Sequence, residues 1–215
     1  MPLGGGFWGL ALSSLSGKFK SVITEKPIFG LRVKNLAIIN IRQEFDTYLA
    51  MLSDEKFVRR IGNLGTPVDL PLITWRGLPM GLLTFVLQRS ILGVESCVSA
   101  AVSYRLGARG LLTDEMTATL DDPVKLPGSG GGMANAFYNK LPAQVDPALR
   151  LEVMNPDLWV LVKRFYKEVR NPIFHGYELE GMNTAGTLAA LKMLDAIYDW
   201  MDPWWGAFTT VKLEG

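Results

Sequence analysis

The chain has 215 residues, which suits one large domain or two small ones and is enough to bury a substantial core. A composition of 48% hydrophobic and 20% charged residues excludes a disordered chain, and a formal net charge of +1 excludes whole-molecule attraction to a polyanion or an anionic membrane. One cysteine, Cys97, and one histidine, His175, exclude a disulfide scaffold and a zinc site made of His and Cys ligands. Metal chemistry would have to rest on carboxylates alone, and we expect no cofactor.

Neither a membrane span nor a signal peptide is predicted. The longest apolar stretch, residues 77–88, falls short of the roughly 18 consecutive apolar residues that cross a bilayer. Residues 7–12 are apolar, but they are too few for a signal peptide and no basic residue precedes them. The lone Cys97 lies among small apolar residues, which fits a buried, unreactive thiol in a reducing compartment. We therefore expect a soluble, cytoplasmic protein with no membrane partner.

The first part of the chain is predicted to be an arm followed by helices. Residues 1–30 contain a triple glycine and a Lys-Pro break, so they form an irregular arm with at most a short strand or two. Residues 31–127 form a helical N-terminal part. Within it, apolar residues recur at helical spacing from Val33 to about Ile61, which predicts one or two amphipathic helices.

A long, nearly apolar helix is predicted at the centre of this N-terminal part. It runs from Leu82 to Leu106, and Gly107 follows as its C-cap. Residues 107–132 are rich in turn formers and end in a flexible Gly-rich connector, 128–132, after which residues 133–215 form a second helical part. The connector is not predicted to cradle a phosphate, because the lysine and hydroxyl that such a loop needs do not follow it.

The second part contains a well-marked helix. Asn155 can accept the free amides of a helix start and Pro156 suits the first turn, so a helix is predicted from Pro156 to about Arg170. Lys163, Lys167 and Arg170 recur at i, i+4 and i+7 and form a basic stripe. This stripe is either an RNA-binding surface or an ordinary solvated helix face. The predicted buried stripe consists of Leu158, Leu161, Val162, Phe165 and Val169.

The dipeptide Asn171-Pro172 is expected to break this helix, and a last helix follows. Asn183 or Thr184 caps the last helix, and Asp202-Pro203 stops it. We expect the functional site to lie between these two helices. Three tryptophans near the end of the chain are expected either to contribute to an interface or to pack on the chain's own core: Trp200, Trp204 and Trp205.

At the end of the basic helix, Arg170 and Asn171 are followed after three residues by His175 and then, one residue further on, by Tyr177. This Arg-Asn-x3-His-x-Tyr pattern resembles the signature of the HEPN superfamily of all-helical ribonucleases, and in particular that of HEPN toxins paired with a nucleotidyltransferase antitoxin. The resemblance implies a HEPN-like helical bundle in residues 133–215 and a homodimer. It also implies that the antitoxin modifies Tyr177 with AMP.

The same residue types fit RNA cleavage without a metal. The 2′-hydroxyl attacks the phosphate, a base takes its proton, an acid protonates the leaving 5′-oxygen, and a cation stabilises the phosphorane. His175 suits either proton role, Arg170 can hold a phosphate oxygen, and Asn171 can orient either group. Because one histidine cannot easily be acid and base in one step, two copies of the motif facing each other in a homodimer are the economical arrangement.

The sequence thus predicts a mainly α-helical bundle that acts as a metal-independent endoribonuclease of toxin or defence type on an RNA substrate. We also expect that Arg170 and His175 can be replaced with little loss of stability. Two alternatives stay open. The first is a HEPN-like module without catalysis that binds nucleotides or RNA, or recruits a partner, through Arg170, Lys163 and Lys167. The second is a structural helical protein in which His175 and Tyr177 are satisfied polar groups of the core.

Overall fold

A computed structural model describes five ranges of the chain, residues 36–62, 80–126, 131–177, 179 and 182–205. Every secondary-structure element in these ranges is helical, which confirms the prediction of a mainly α-helical protein. The predicted arm with its short strands, residues 1–30, lies outside the described residues, as does 128–130 of the connector.

Two helices open the described part of the chain, α1 (Leu36–Ser53) and α2 (Glu55–Gly62). Asp54 lies between them, and its carboxylate accepts hydrogen bonds from the backbone N–H groups of Lys56 at 2.9 Å and Phe57 at 3.1 Å. These bonds satisfy free amides at the start of α2, so α2 begins directly after α1 ends. The prediction of one or two helices here is confirmed, with two.

The long apolar helix predicted at the centre is α3 (Met80–Ala108), which packs against α1 and against the last helix. Gly93 lets α1 come close, since a Cβ at this position would lie 2.8 Å from Cγ2 of Ile41. By length and composition alone, α3 is apolar enough to cross a membrane, and 61% of its most apolar stretch is buried inside the protein. In this structure α3 is the central helix of the core.

The end of α3 differs from the prediction, since the helix runs past Gly107 to Ala108. Gly110 ends it, with a φ of 70° that favours glycine. The N–H of Leu111 bonds to the carbonyl of Leu106 at 2.9 Å, and the N–H of Gly110 bonds to the carbonyl of Gly107 at 3.0 Å. These two bonds form a Schellman motif, which places the C-cap after Gly107.

The region predicted to be turn-rich, residues 107–132, contains a short helix, α4 (Asp114–Asp121), and a 3-10 turn (Pro123–Lys125). The Thr113 side chain caps α4 by accepting the N–H of Met116 at 3.1 Å. This cap and the acidic first turn mark a helix start in the sequence. The helix is mostly exposed, so its apolar residues give little periodic signal.

After the connector the chain forms two interrupted helices. The first comprises α5 (Met133–Asn135), a π turn (Ala136–Lys140) and α6 (Leu141–Ala143). A 3-10 turn (Pro147–Leu149) and α7 (Leu151–Met154) lead to the second. The second, called the motif helix here (residues 156–174), comprises α8 (Pro156–Phe165), a π turn (Tyr166–Arg170) and α9 (Asn171–Phe174).

The motif helix begins where the sequence predicts and ends later. Asn155 caps it by accepting the N–H of Leu158 at 3.1 Å, as predicted. The predicted break at Asn171-Pro172 is wrong, because the N–H of Asn171 bonds to the carbonyl of Tyr166, five residues earlier, and the helix continues. A proline in an α-helix clashes with the carbonyl four residues before it, and the wider π turn displaces that carbonyl.

The last helix is α10 (Thr184–Trp205), with Asn183 as its cap, since its side-chain oxygen accepts the N–H of Gly186 at 2.8 Å. The predicted stop at Asp202-Pro203 is wrong, because Pro203 lies inside the helix. The prediction that the terminal tryptophans pack on the chain's own core is confirmed, and the interface alternative is not, since all three are buried: Trp200, Trp204 and Trp205.

The described helices share one hydrophobic core. Buried side chains from before and after the connector belong to the same cluster, with α3 at its centre. On one side of α3, Arg42 of α1 bonds to Asp195 of α10 at 2.7 Å, and its guanidinium carbon lies 4.2 Å from the ring centre of Tyr198. The motif helix packs on α3 as well, which positions the candidate site.

Candidate functional site

Arg170, the first residue of the predicted motif, points into the protein and pairs with Glu95 of α3. Its Nε lies 3.2 Å from Oε1 of Glu95, and its Nη2 lies 3.4 Å from Oε2. The two side chains are only 12% and 6% exposed, and the guanidinium carbon lies 4.4 Å from the ring centre of Phe174. Buried charges need such close pairing and additional hydrogen bonds, because they have given up their hydration.

Two tyrosines complete this buried network. The hydroxyl of Tyr166 donates to Oε1 of Glu95 at 2.6 Å, and the hydroxyls of Tyr138 and Tyr166 lie 2.8 Å apart. Burial is the main cause that raises the pKa of both phenols, so both keep their protons and donate. Tyr138 and Tyr166 lie in the two π turns, so the network ties both interrupted helices to α3.

His175 is the C-cap of the motif helix and is exposed to solvent. The N–H of Tyr177 bonds to the carbonyl of Pro172 at 2.9 Å, and that of Gly176 bonds to the carbonyl of Ile173 at 3.2 Å, which forms a second Schellman motif. Gly176 has a φ of 76°, which favours glycine. The turn leaves the rings of His175 and Tyr177 6.4 Å apart and Tyr177 69% exposed.

The exposure of this turn contradicts one expectation from the sequence. A purely structural protein was expected to hold His175 and Tyr177 as satisfied polar groups of the core, and this expectation is wrong because both are exposed. The helix that carries them is anchored to α3, since the side chain of Gln88 donates to the carbonyl of Ile173 at 3.4 Å. Two exposed polar aromatic side chains therefore stand on a well-anchored helix end.

A surface cavity of about 440 Å³ lies beside the motif helix. Lys163, Lys167 and Asn171 line it from the motif helix, and Gly131 and Gly132, the end of the connector, line it from the other interrupted helix. Both lysines are exposed, and neither forms an ion pair within the ranges that the structure describes. The remaining lining residues are Met133, Ala134, Asn135, Glu152, Trp159 and Tyr166.

The π turn brings the exposed residues of the motif helix into line. In an α-helix, residues four apart are offset by about 40° around the axis, so a series at this spacing drifts away from one face. The π turn places an extra residue within one turn and offsets this drift. As a result Lys163, Lys167 and Asn171 line one cavity, and the N–H of His175 bonds to the carbonyl of Asn171 at 3.0 Å, one turn further on.

The structure divides the predicted basic stripe. Lys163 and Lys167 are exposed together, whereas Arg170 lies against Glu95. The expectation that the site lies between the motif helix and α10 is also wrong for Arg170, which faces α3. The physical reason is the same in both cases, since the π turn rotates Arg170 relative to the lysines and the buried carboxylate pairs with it.

Sequence reasoning missed Glu95 and the two tyrosines. Glu95 is the sole acidic residue of α3, and a lone carboxylate in a buried helix predicts a buried cation or donor as its partner. That signal is present in the sequence, but nothing in the spacing assigns Arg170 as the partner. Tyr138 and Tyr166 give no comparable signal, because tyrosines pack in cores with many different partners.

Within the described residues, no group of three or more His, Cys, Asp and Glu side chains lies close enough together to hold a metal ion. Comparisons with protein-family models, with curated proteins and with solved structures gave no match. A function for this chain therefore has to be proposed from the geometry of the site and from the motif.

Proposed function

We propose that this protein is a metal-independent endoribonuclease of the HEPN type that acts as a toxin or defence effector. The observation that supports it best is the exposed His175 at the end of the motif helix, one turn beyond Asn171 and on the helix whose Lys163 and Lys167 line a cavity. The Arg-Asn-x3-His-x-Tyr pattern supplies the reaction class, and the exposure of His175 supplies access for a substrate.

In the proposed reaction, the imidazole of His175 takes the proton of a 2′-hydroxyl or gives a proton to the leaving 5′-oxygen. A bond forms from the 2′-oxygen to phosphorus and the bond to the 5′-oxygen breaks, which yields a 2′,3′-cyclic phosphate and a 5′-hydroxyl. Arg170, held by Glu95, positions the helix end that carries His175, and the exposed amide of Asn171 orients the phosphate or the imidazole. Lys163 and Lys167 bind the RNA backbone.

A homodimer supplies the second proton-transfer group. Each chain carries one histidine, so the proposal places two motif turns face to face, with one imidazole as base and the other as acid. The exposure of His175 and Tyr177 leaves both side chains accessible to a second chain.

Cleavage of a structured RNA in EDTA tests the proposal. We expect cleavage to continue and to leave 2′,3′-cyclic phosphate ends, because no step uses a metal. His175→Ala should abolish cleavage without changing the melting temperature, since His175 is exposed, and Tyr104→Ala, at another exposed aromatic residue, should keep full activity. Activity that disappears in EDTA and returns with magnesium would contradict the mechanism.

A second candidate function is a HEPN-like module that binds RNA or nucleotides without cleaving them. The observation that favours it is the engagement of Arg170, whose Nε and Nη2 bond to Glu95 and whose guanidinium stacks on Phe174. These contacts leave less of the guanidinium for a phosphate. If this function is correct, RNA binds equally to the wild-type protein and to His175→Ala, and neither yields a cleavage product.

A further inference from the structure

The cavity beside the motif helix combines three kinds of surface. Lys163 and Lys167 bring positive charge, Trp159 and Met133 bring apolar surface, and Asn171 brings an amide. Its volume of about 440 Å³ lies within the range of about 300–1,000 Å³ that is usual for small-molecule sites. This combination differs from a plain basic helix face, which offers charge without apolar surface beside it.

The positive charge of the cavity is not neutralised by the acidic residue in its lining. Glu152 is bonded to Arg150 at 2.9 Å. Lys163 and Lys167 form no ion pair with any residue that the structure describes, and Nζ of Lys163 lies 5.4 Å from the ring centre of Trp159. The two lysines favour a ligand with an anionic group, and the apolar lining beside them, which is Met133 and the 8% of Trp159 that is exposed, favours a ligand that also carries a ribose or a base.

The walls of the cavity are held in place by a buried amide. Asn139 is 3% exposed, its Nδ2 donates to Oδ1 of Asn135 at 3.0 Å, and its Oδ1 accepts the N–H of Glu152 at 3.0 Å. Tyr166, which also lines the cavity, is fixed by its hydrogen bond to Glu95. The cavity is therefore formed before a ligand arrives, which lowers the ordering cost of binding.

The end of the glycine run leaves the cavity open. Among the described residues, a Cβ at Gly131 or Gly132 would meet no atom within 4 Å, and Gly132 has a φ of 90°, which favours glycine. The Cβ of a larger residue at Gly131 would therefore point into space that no described residue occupies beside the cavity. The two glycines keep that space free.

We propose that this cavity binds a nucleoside phosphate, with the phosphate on Lys163 and Lys167 and the base or ribose against Trp159 and Met133. The inference deepens the proposed function. It rests on that function in one respect, which is that the bound nucleotide belongs to an RNA strand. A free mononucleotide offers the same chemistry, and the experiment distinguishes the two sources.

Binding is measured without cleavage, by calorimetry with AMP and with UMP, and by fluorescence anisotropy with a 2′-O-methyl RNA oligonucleotide that lacks the attacking hydroxyl. Lys163→Gln and Lys167→Gln should each weaken binding and should each reduce the slope of log K against log salt for the oligonucleotide by about 0.7. Lys56→Gln, which removes an exposed lysine from α2, should change neither the affinity nor the salt slope.

Gly131→Leu distinguishes binding in the cavity from binding to the basic helix face alone. The variant keeps both lysines and fills the open space, so we expect it to weaken binding by about tenfold or more. Gly81→Leu, at an equally open glycine of α3, should have no effect. Binding of the oligonucleotide alone assigns the cavity to a nucleotide of RNA, and binding of AMP or UMP assigns it to a free nucleotide.

The inference is overturned if neither probe binds, or if Gly131→Leu and the lysine variants bind as the wild type does. An active, His175-dependent nuclease with such results would leave the nuclease chemistry standing and refute the cavity together with the RNA-binding role of the two lysines. Conversely, a protein that binds the probes as expected but cleaves no RNA would refute only the nuclease.

Discussion

At the scale of single residues, the members of the motif differ in what surrounds them. His175 is exposed at a helix end, whereas Arg170 is bonded to Glu95 and only 12% exposed. The sequence led us to expect that both can be replaced with little loss of stability. The structure predicts the opposite for Arg170, because its removal leaves the carboxylate of Glu95 buried without a counter-charge.

Arg170→Met should therefore lower the free energy of unfolding by about 3–5 kcal/mol, as for other buried pairs that lose one partner. Adding Glu95→Gln should recover part of this loss, because a neutral amide needs no counter-charge. Urea denaturation of the two variants measures both effects. Arg164→Met breaks a more exposed pair with Glu168 and should cost less than about 1 kcal/mol; equal losses at Arg164 and Arg170 would contradict the buried-pair assignment.

Tyr177 is the residue through which the motif resemblance implies regulation. Its side chain is 69% exposed, which contradicts the alternative of a tyrosine packed in the core. Co-expression with a nucleotidyltransferase antitoxin should add AMP to Tyr177, because the added phosphate and base would block RNA at the motif turn. Intact mass and peptide mapping detect the modification. Tyr177→Phe should escape inhibition and Tyr104→Phe should not; suppressed toxicity with unmodified Tyr177 would exclude this mechanism.

At the scale of elements, local irregularities determine where the functional residues point. Within the described residues, a π turn followed after one residue by a proline occurs twice, before Pro142 and before Pro172. A Schellman motif with a positive-φ glycine also occurs twice, at Gly110 and at Gly176. In the motif helix the two features act together, since the π turn aligns the exposed residues and Gly176 ends the helix at His175.

Gly176→Ala tests the contribution of the motif turn. An alanine in this left-handed conformation should cost about 1–2 kcal/mol of stability, and it should reduce RNA cleavage because the turn positions His175. Gly81→Ala, at an exposed helical glycine of α3 without a positive φ, should stabilise the protein by up to about 1 kcal/mol. Thermal melting and a cleavage assay measure both effects, and an unchanged Gly176→Ala variant would show that the turn is not required.

At the scale of the whole molecule, α3 connects the core to the motif. Gln88 holds α9 and Glu95 pairs with Arg170, so the motif helix is fixed to the central helix of the core. On the same helix, the exposed side chains of Phe85 and Leu92 lie one turn to either side of Gln88. These two apolar side chains therefore lie beside the helix end that presents His175, next to Arg89, which pairs with Glu44.

The composite site of the proposed function requires a dimer, so sedimentation should give about twice the chain mass of 23.8 kDa. Leu92→Arg should weaken the dimer and cleavage together, because it replaces an exposed apolar side chain beside this helix end with a charge, whereas Val124→Arg, at an exposed valine of the 3-10 turn, should not. Mixed dimers with one His175→Ala chain should be strongly impaired. A monomer with full activity at nanomolar concentration would exclude the composite site.

The sequence by itself determined the helical class, the central helix and the starts of the motif helix and of α10 at Asn155 and Asn183, because periodicity and capping are local properties. The ends of helices were less predictable. Gly107 and Pro172 carry local signals for a stop, and the hydrogen bonds that form around them override those signals.

Only the tertiary structure decided which member of the basic stripe faces inward. Arg170 pairs with a carboxylate 75 residues away in the sequence, and spacing along one helix carries no information about that partner. A buried charge pairs with the opposite charge that packing brings next to it, because leaving it unpaired is too costly. The same packing leaves Lys163, Lys167 and His175 exposed, and so it divides a motif that is continuous in sequence into a buried anchor and an exposed site.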